Sequence, residues 1–160
     1  FPLLRRLYDR LQKSRHSAGD RNGSMWFLDM AKASGFNFDH ISFHYYAYFS
    51  DKGYWYDMYF GQMRAMSKKY NTKIFLNETN CADIYQGNTD GGKPGDKACY
   101  DSVKQLLTEL NTNHKDIVQE ITMYELIDEP INDGVEAHFG LMKNFTTPKE
   151  LFNLVTSFAK

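Results

Sequence analysis

Apolar residues recur at helical spacing in five places along this chain and gather into short runs in three others. Leu3, Leu4, Leu7, Tyr8 and Leu11 mark an amphipathic helix over 3–15 with a basic polar side. The polar stretch His16 to Ser24, with Gly19 and Asn22-Gly23, breaks it. A second helix runs from Trp26 to Ala33 and stops at Gly35, a natural C-terminal cap. Tyr54 to Tyr70, with Met58, Met63 and Met66 at helical spacing, predicts a third that ends at Tyr70-Asn71. A fourth covers about Lys97 to Leu110. The last runs from Pro148 to Phe158, with Thr147 as N-cap and Pro148 in the first helical position. Between these lie the strand-like runs Phe38–Tyr46, Lys73–Leu76 and Val118–Ile127. The unbroken apolar run Ile74-Phe-Leu76 reads as a strand buried on both faces, which is the habit of parallel sheets.

The order α, α, β, α, β, α, β, α therefore predicts an α/β fold of right-handed βαβ units around a parallel sheet. Three strands cannot close a barrel, and a doubly wound open sheet is the competing arrangement. No glycine-rich fingerprint follows any strand, which weakens a nucleotide-binding version of that alternative. The long polar segments follow strands rather than helices. A barrel that works at the C-terminal ends of its strands has that asymmetry.

Composition narrows the function. At 160 residues, 42% hydrophobic and 24% charged, the chain is one soluble domain or a piece of a larger one. A net charge of −1 without a basic stripe argues against a nucleic-acid partner. No apolar run approaches the ~20 residues of a membrane span. Aromatic content is high at 16%; such rings suit amphipathic ligands such as sugars, and they also fill cores. The first residue is Phe1 rather than Met, so the natural beginning is expected upstream. Cys81 and Cys99 bracket a polar segment, and a disulfide between them would contribute about 3 kcal/mol, two free thiols being the alternative. Of three glycosylation sequons, Asn22-Gly-Ser and Asn144-Phe-Thr are the better acceptors, because Asn77-Glu-Thr sits at a strand end that a glycan would obstruct. Together these features lean toward a secreted, oxidising setting.

Each strand-like run ends in groups capable of chemistry: His44-Tyr-Tyr46, Asn77-Glu78-Thr-Asn80, and Tyr124-Glu125-Leu-Ile-Asp128-Glu129-Pro130. With the later Glu136-Ala-His-Phe-Gly-Leu141 and Thr147-Pro-Lys149, these segments resemble the last three strands of clan A glycoside hydrolases, similar to families 39 and 5. The resemblance covers 25–160 and leaves 1–24 as a poorly matched N-terminal helix and linker. It implies the C-terminal portion, about strands six to eight, of a (β/α)8 barrel. It also implies that Glu78, at the end of strand seven, is the nucleophile of a retaining glycosidase. The acid/base glutamate belongs to strand four, outside this chain, so the piece alone is expected to be inactive. The remainder of the barrel would come from the same or another polypeptide.

The residue types suit that chemistry. A retaining glycosidase holds two carboxyl groups about 5–5.5 Å apart, one as nucleophile and one alternating between acid and base. Donors near Glu78 would keep it ionised. His44 and Tyr46 are candidates for that or for a sugar hydroxyl, against the plainer readings of a core histidine and a packing ring. Asn80 is a further candidate for sugar binding. Glu125 lines the cleft if it shares a face with Met123 and Ile127, and Trp55 could stack on a sugar ring or simply cap its helix. No cofactor is expected. Two rivals remain. One is a non-catalytic glycan-binding or structural protein descended from such a barrel. The other is a metal-dependent hydrolase using His44, Glu78 and Asp128, which no ligand spacing supports.

Overall fold

Three parallel strands form the centre of the computed structural model, which describes residues 23–86, 89–90, 93–94, 96–129, 131 and 134–159. The expected helix over 3–15 and the Asn22 sequon lie outside those residues. The chain divides into two compact units, Phe1–Phe38 and Asp39–Lys160. In the first, helix α1 (Gly23–Ala33) starts three residues earlier than Trp26. It closes as anticipated: the Gly35 amide donates to Lys32 O and the Phe36 amide to Ala31 O. Gly35 reaches a φ of 82°, a conformation open to glycine because it lacks a Cβ.

In the second unit the chain runs β1 (His40–Ala47), α2 (Tyr54–Tyr70), β2 (Lys73–Cys81), a small hairpin of β3 (Thr89–Asp90) and β4 (Lys93–Pro94), then α3 (Asp96–Glu109) and β5 (Val118–Met123). It ends with a second hairpin, β6 (Met142–Asn144) and β7 (Thr147–Pro148), and with α4 (Glu150–Phe158). The sheet order is β1–β2–β5 with all pairs parallel, so β2 is central. Helix α2 ends where Asn71 enters the left-handed region at φ 50°.

One face of the sheet is packed. Ile41, Tyr45, Ile74, Leu76 and Cys81 are buried on it, and the Tyr45 ring meets Tyr56 and Phe60 of α2. Cys81 joins Val103 and Leu107 of α3 and Leu151 and Leu154 of α4 in one apolar cluster. Removing such area from water is the main term holding the helices to the sheet. On the opposite face His40 stacks on Phe75, and His40, Ser42, His44, Lys73 and Glu120 are exposed. The two-sided burial expected from the apolar run is thus realised on one side among the described residues.

Two boundaries differ from the sequence reading. Strand β5 ends at Met123 rather than Ile127. Beyond Met123 the backbone changes partners: Leu141 N donates to Glu125 O, Met142 N to Leu126 O, and Asp128 N to Met142 O, each at 2.9 Å. Gly140 permits that crossing, since a Cβ there would stand 2.1 Å from the Asp128 nitrogen. The last helix starts at Glu150 with Lys149 as its N-cap. Thr147 and Pro148, expected as cap and first helical residue, instead pair with Asn144 and Met142 in the β6–β7 hairpin. The Asn144 side chain shapes that turn by accepting from the Thr146 amide and hydroxyl, both at 3.0 Å, and it is exposed.

Candidate active site at the strand ends

Glu78 lies near the C-terminal end of the central strand, and a single irregularity aims it. Up to Phe43↔Leu76 the two strands pair residue for residue; the next pair is His44↔Glu78. Asn77 is the extra residue of a bulge, so the side-chain alternation of β2 slips by one. The carboxylate thereby shares a face with His44 and Tyr46. Without the bulge Asn77 would take that place.

The Tyr46 hydroxyl donates to Glu78 Oε1 at 2.6 Å, and His44 Nδ1 lies 3.4 Å from Oε2. The His44 side chain is 59% exposed and that of Glu78 33%, so the group is held from one side and open from the other.

Behind this pair sits a rigid support. The Asn80 amide donates to Phe139 O at 2.7 Å and to Tyr124 O, while its Oδ1 accepts the Cys81 amide at 2.8 Å. Asn80 is 1% exposed, with both amide hydrogens and its oxygen committed. Its place is beneath the site, clamping the segment around Phe139 to the end of β5. The Phe139 ring packs 5.4 Å from Tyr46 and 6.1 Å from Tyr124. Phe139 was visible in the sequence only as part of a Phe-Gly-Leu run.

Cys81 and Cys99 are joined by a disulfide, with Cα atoms 5.1 Å apart. The bond ties the residue three places after Glu78 to the first turn of α3. Glu125 follows the end of β5, on the same edge of the sheet, and is half-buried. Its Oε1 finds no hydrogen-bond partner among the described residues. Burial pushes its carboxyl upward, Glu129 and Asp128 add to that, and Lys149 opposes it. Lys149 is itself buried, donating to Asp128 Oδ1 at 2.7 Å and to His138 O at 2.9 Å. Nothing in the local pattern announces a buried lysine there.

Trp55 stands in the first turn of α2, its ring 6.1 Å from Tyr59 with planes 23° apart. Both rings line a cavity of about 630 Å³ that reaches His44 and Tyr46. Among the described residues no group of three or more His, Cys, Asp or Glu side chains could hold a metal ion. No described helix is long and apolar enough to cross a membrane.

No protein-family model and no curated protein matches the chain. A solved structure does: an endo-β-1,3-glucanase of glycoside hydrolase family 128, subgroup I, from Amycolatopsis mediterranei, crystallised as a mutant with laminaritriose and laminaribiose. The identity is 20% and the TM-score 0.54, over 88% of this chain and 52% of that one. The chain thus spans about half the length of the solved structure it matches. At this identity the likeness is one of fold, and it does not reach the particular families 39 and 5. The chain is a mixed α/β protein with a parallel sheet, and its fold is similar to part of a glycoside hydrolase.

Proposed function

We propose that the complete protein is a retaining glycoside hydrolase with Glu78 as its nucleophile, and that its substrate is a β-glucan. One observation carries this reading. A carboxylate at the C-terminal end of a central parallel strand receives a tyrosine hydroxyl at 2.6 Å, with a histidine 3.4 Å from its other oxygen, and it still faces solvent. The fold likeness to an endo-β-1,3-glucanase supports the substrate class. In this reading β1, β2 and β5 are strands six to eight of a (β/α)8 barrel, and the acid/base carboxyl comes from residues outside them.

Glu78 would attack the anomeric carbon while the acid/base protonates the departing oxygen, forming a glycosyl ester. Water then attacks the same carbon with the acid/base now taking its proton, and Glu78 is released. Tyr46 holds Oε1, leaving Oε2 as the attacking oxygen beside His44. In the full-length protein Glu78→Gln keeps the shape and removes the nucleophile, so turnover of activated aryl glucosides should fall about 10³-fold or more while sugar binding survives. A mechanism-based fluorosugar should label Glu78. Labelling of another carboxylate, or full activity in Glu78→Gln, overturns the assignment.

A further inference from the structure

The glycosylation sequons of this chain are alike in sequence and unlike in structure. Asn22 lies outside the described residues; of the other two, Asn144-Phe-Thr occupies a hairpin tip and Asn77-Glu-Thr the central strand. Phe145 and Thr146 form the two-residue turn between β6 and β7, closed by the pair Asn144↔Thr147. Residues 143–148 are all exposed. The segment leading into them does not lie on an unpaired edge of the sheet. Phe139 O accepts both from the Asn80 side chain and from Glu125 N, so that segment runs between the ends of β2 and β5. Lys143 and Thr147 then line one cavity with Lys97 and Tyr100 of α3 and Glu150 of α4.

The side chains of the two motifs differ as sharply. Asn144 Oδ1 takes both the amide and the hydroxyl of Thr146, each at 3.0 Å, so its carbonyl turns into the loop. Its Nδ2, the atom to which a glycan is attached, makes no hydrogen bond to another described residue. Asn77 fails on the third residue of its motif. Thr79 is 0% exposed, on a strand paired along both sides. A transferase that must grasp that threonine finds it sealed in the folded chain.

From this contrast we propose that Asn144 carries an N-linked glycan and that Asn77 does not. The donor is a lipid pyrophosphate bearing an oligosaccharide. Asn144 Nδ2 bonds to the anomeric carbon, the carbon–oxygen bond to the pyrophosphate breaks with its electron pair leaving on that group, and one Nδ2 proton passes to a base of the transferase. The Cys81–Cys99 bridge supports the setting independently, because disulfides persist in the oxidising secretory compartments where this transfer takes place. The glycan stands beside Phe145, a ring 87% exposed that the C–H faces of a sugar would cover. None of this depends on the role of Glu78.

The full-length protein is expressed from its natural start in a eukaryotic host. Its peptides are mapped before and after an amidase that releases N-glycans and converts the bearing asparagine to aspartate. The conversion should appear at position 144 and be absent at 77. Thr146→Ala keeps Asn144 but removes the hydroxyl, and should abolish the glycan there; Thr146→Ser should retain it. Asn77→Gln should leave the glycan mass unchanged. Circular dichroism and a free-thiol titration check that each variant is folded with its bridge closed, and the map of the parent decides the matter even where a variant misfolds. A parent protein unmodified at Asn144, a glycan on Asn77, or a glycan that persists on Asn144 in folded Thr146→Ala overturns the proposal.

Discussion

The two ends of the sheet carry similar residue types and treat them in opposite ways. At the N-terminal end Arg64 of α2 donates to both carboxylate oxygens of Asp116 and, at 2.9 Å, to Asn113 O. Lys73 donates to Asp116 O at 2.6 Å, and His114 meets Glu109 at 3.1 Å while its ring lies 4.7 Å from Phe60. Every polar side chain named there has a partner, and the Arg64 and Lys73 contacts lace α2 and the start of β2 to the segment before β5. At the C-terminal end Glu78 is gripped by Tyr46 but keeps an open side, Glu125 has a buried oxygen without a partner among the described residues, and Trp55 and Tyr59 face a cavity. Saturated polar groups hold a fold; groups left unsaturated in a cleft are where a ligand can add binding energy.

Three experiments press on that contrast. The largest effect belongs to the disulfide beneath the open end. Cys81→Ala/Cys99→Ala should lower unfolding free energy by about 3 kcal/mol in denaturant titrations, the loop-entropy value for a bridge across 18 positions. Unchanged stability would mean that this end is held by packing alone.

Glu125 comes next, with the opposite sign. Its carboxyl is raised by burial, so ionising it in the folded state costs stability. That cost is absent in acid, appears as pH rises through the ordinary carboxylate range, and is complete above the folded value. Glu125→Gln should therefore raise the melting temperature at neutral pH and leave it unchanged near pH 3. Destabilisation at neutral pH would show instead that the ionised carboxylate is welcome there.

The smallest effect lies at the saturated end. Hydrogen bonding from Arg64 holds Asp116 below its usual range. Its contribution is present above the ordinary carboxylate range and lost as pH falls through the depressed folded value. Asp116→Asn should give a slight loss in melting temperature at neutral pH, reduced by salt because the pair is exposed, and none in strong acid. A loss that persists at high salt would show a buried role for the pair.

Much of the architecture could be read from periodicity and punctuation. The helix over Tyr54–Tyr70 ends at Asn71 as expected, α1 closes at Gly35, and three parallel strands fall close to the anticipated positions. These are local matters, decided by which side chains recur every third or fourth residue and which residues accept a left-handed turn. Boundaries failed where a distant segment competed. Residues 124–127 read as a continuation of the third strand, yet the chain around Gly140 supplies hydrogen-bond partners for Glu125 and Leu126. The expected cap Thr147 was taken by a hairpin.

The sequence by itself determined the order of elements, the carboxylates at the strand ends and the two cysteines close enough in chain to be joined. The tertiary structure decided which of those groups meet. The bulge at Asn77 turns Glu78 rather than its neighbour toward His44 and Tyr46, and side-chain direction after a bulge cannot be counted from alternation. Asn80 became a buried clamp instead of a cleft residue because its partners, Tyr124 O and Phe139 O, lie 44 and 59 positions away. The buried Lys149 found its carboxylate partner, Asp128, across 21 positions. Such pairings depend on where the folded backbone places distant groups, and no local pattern encodes that distance.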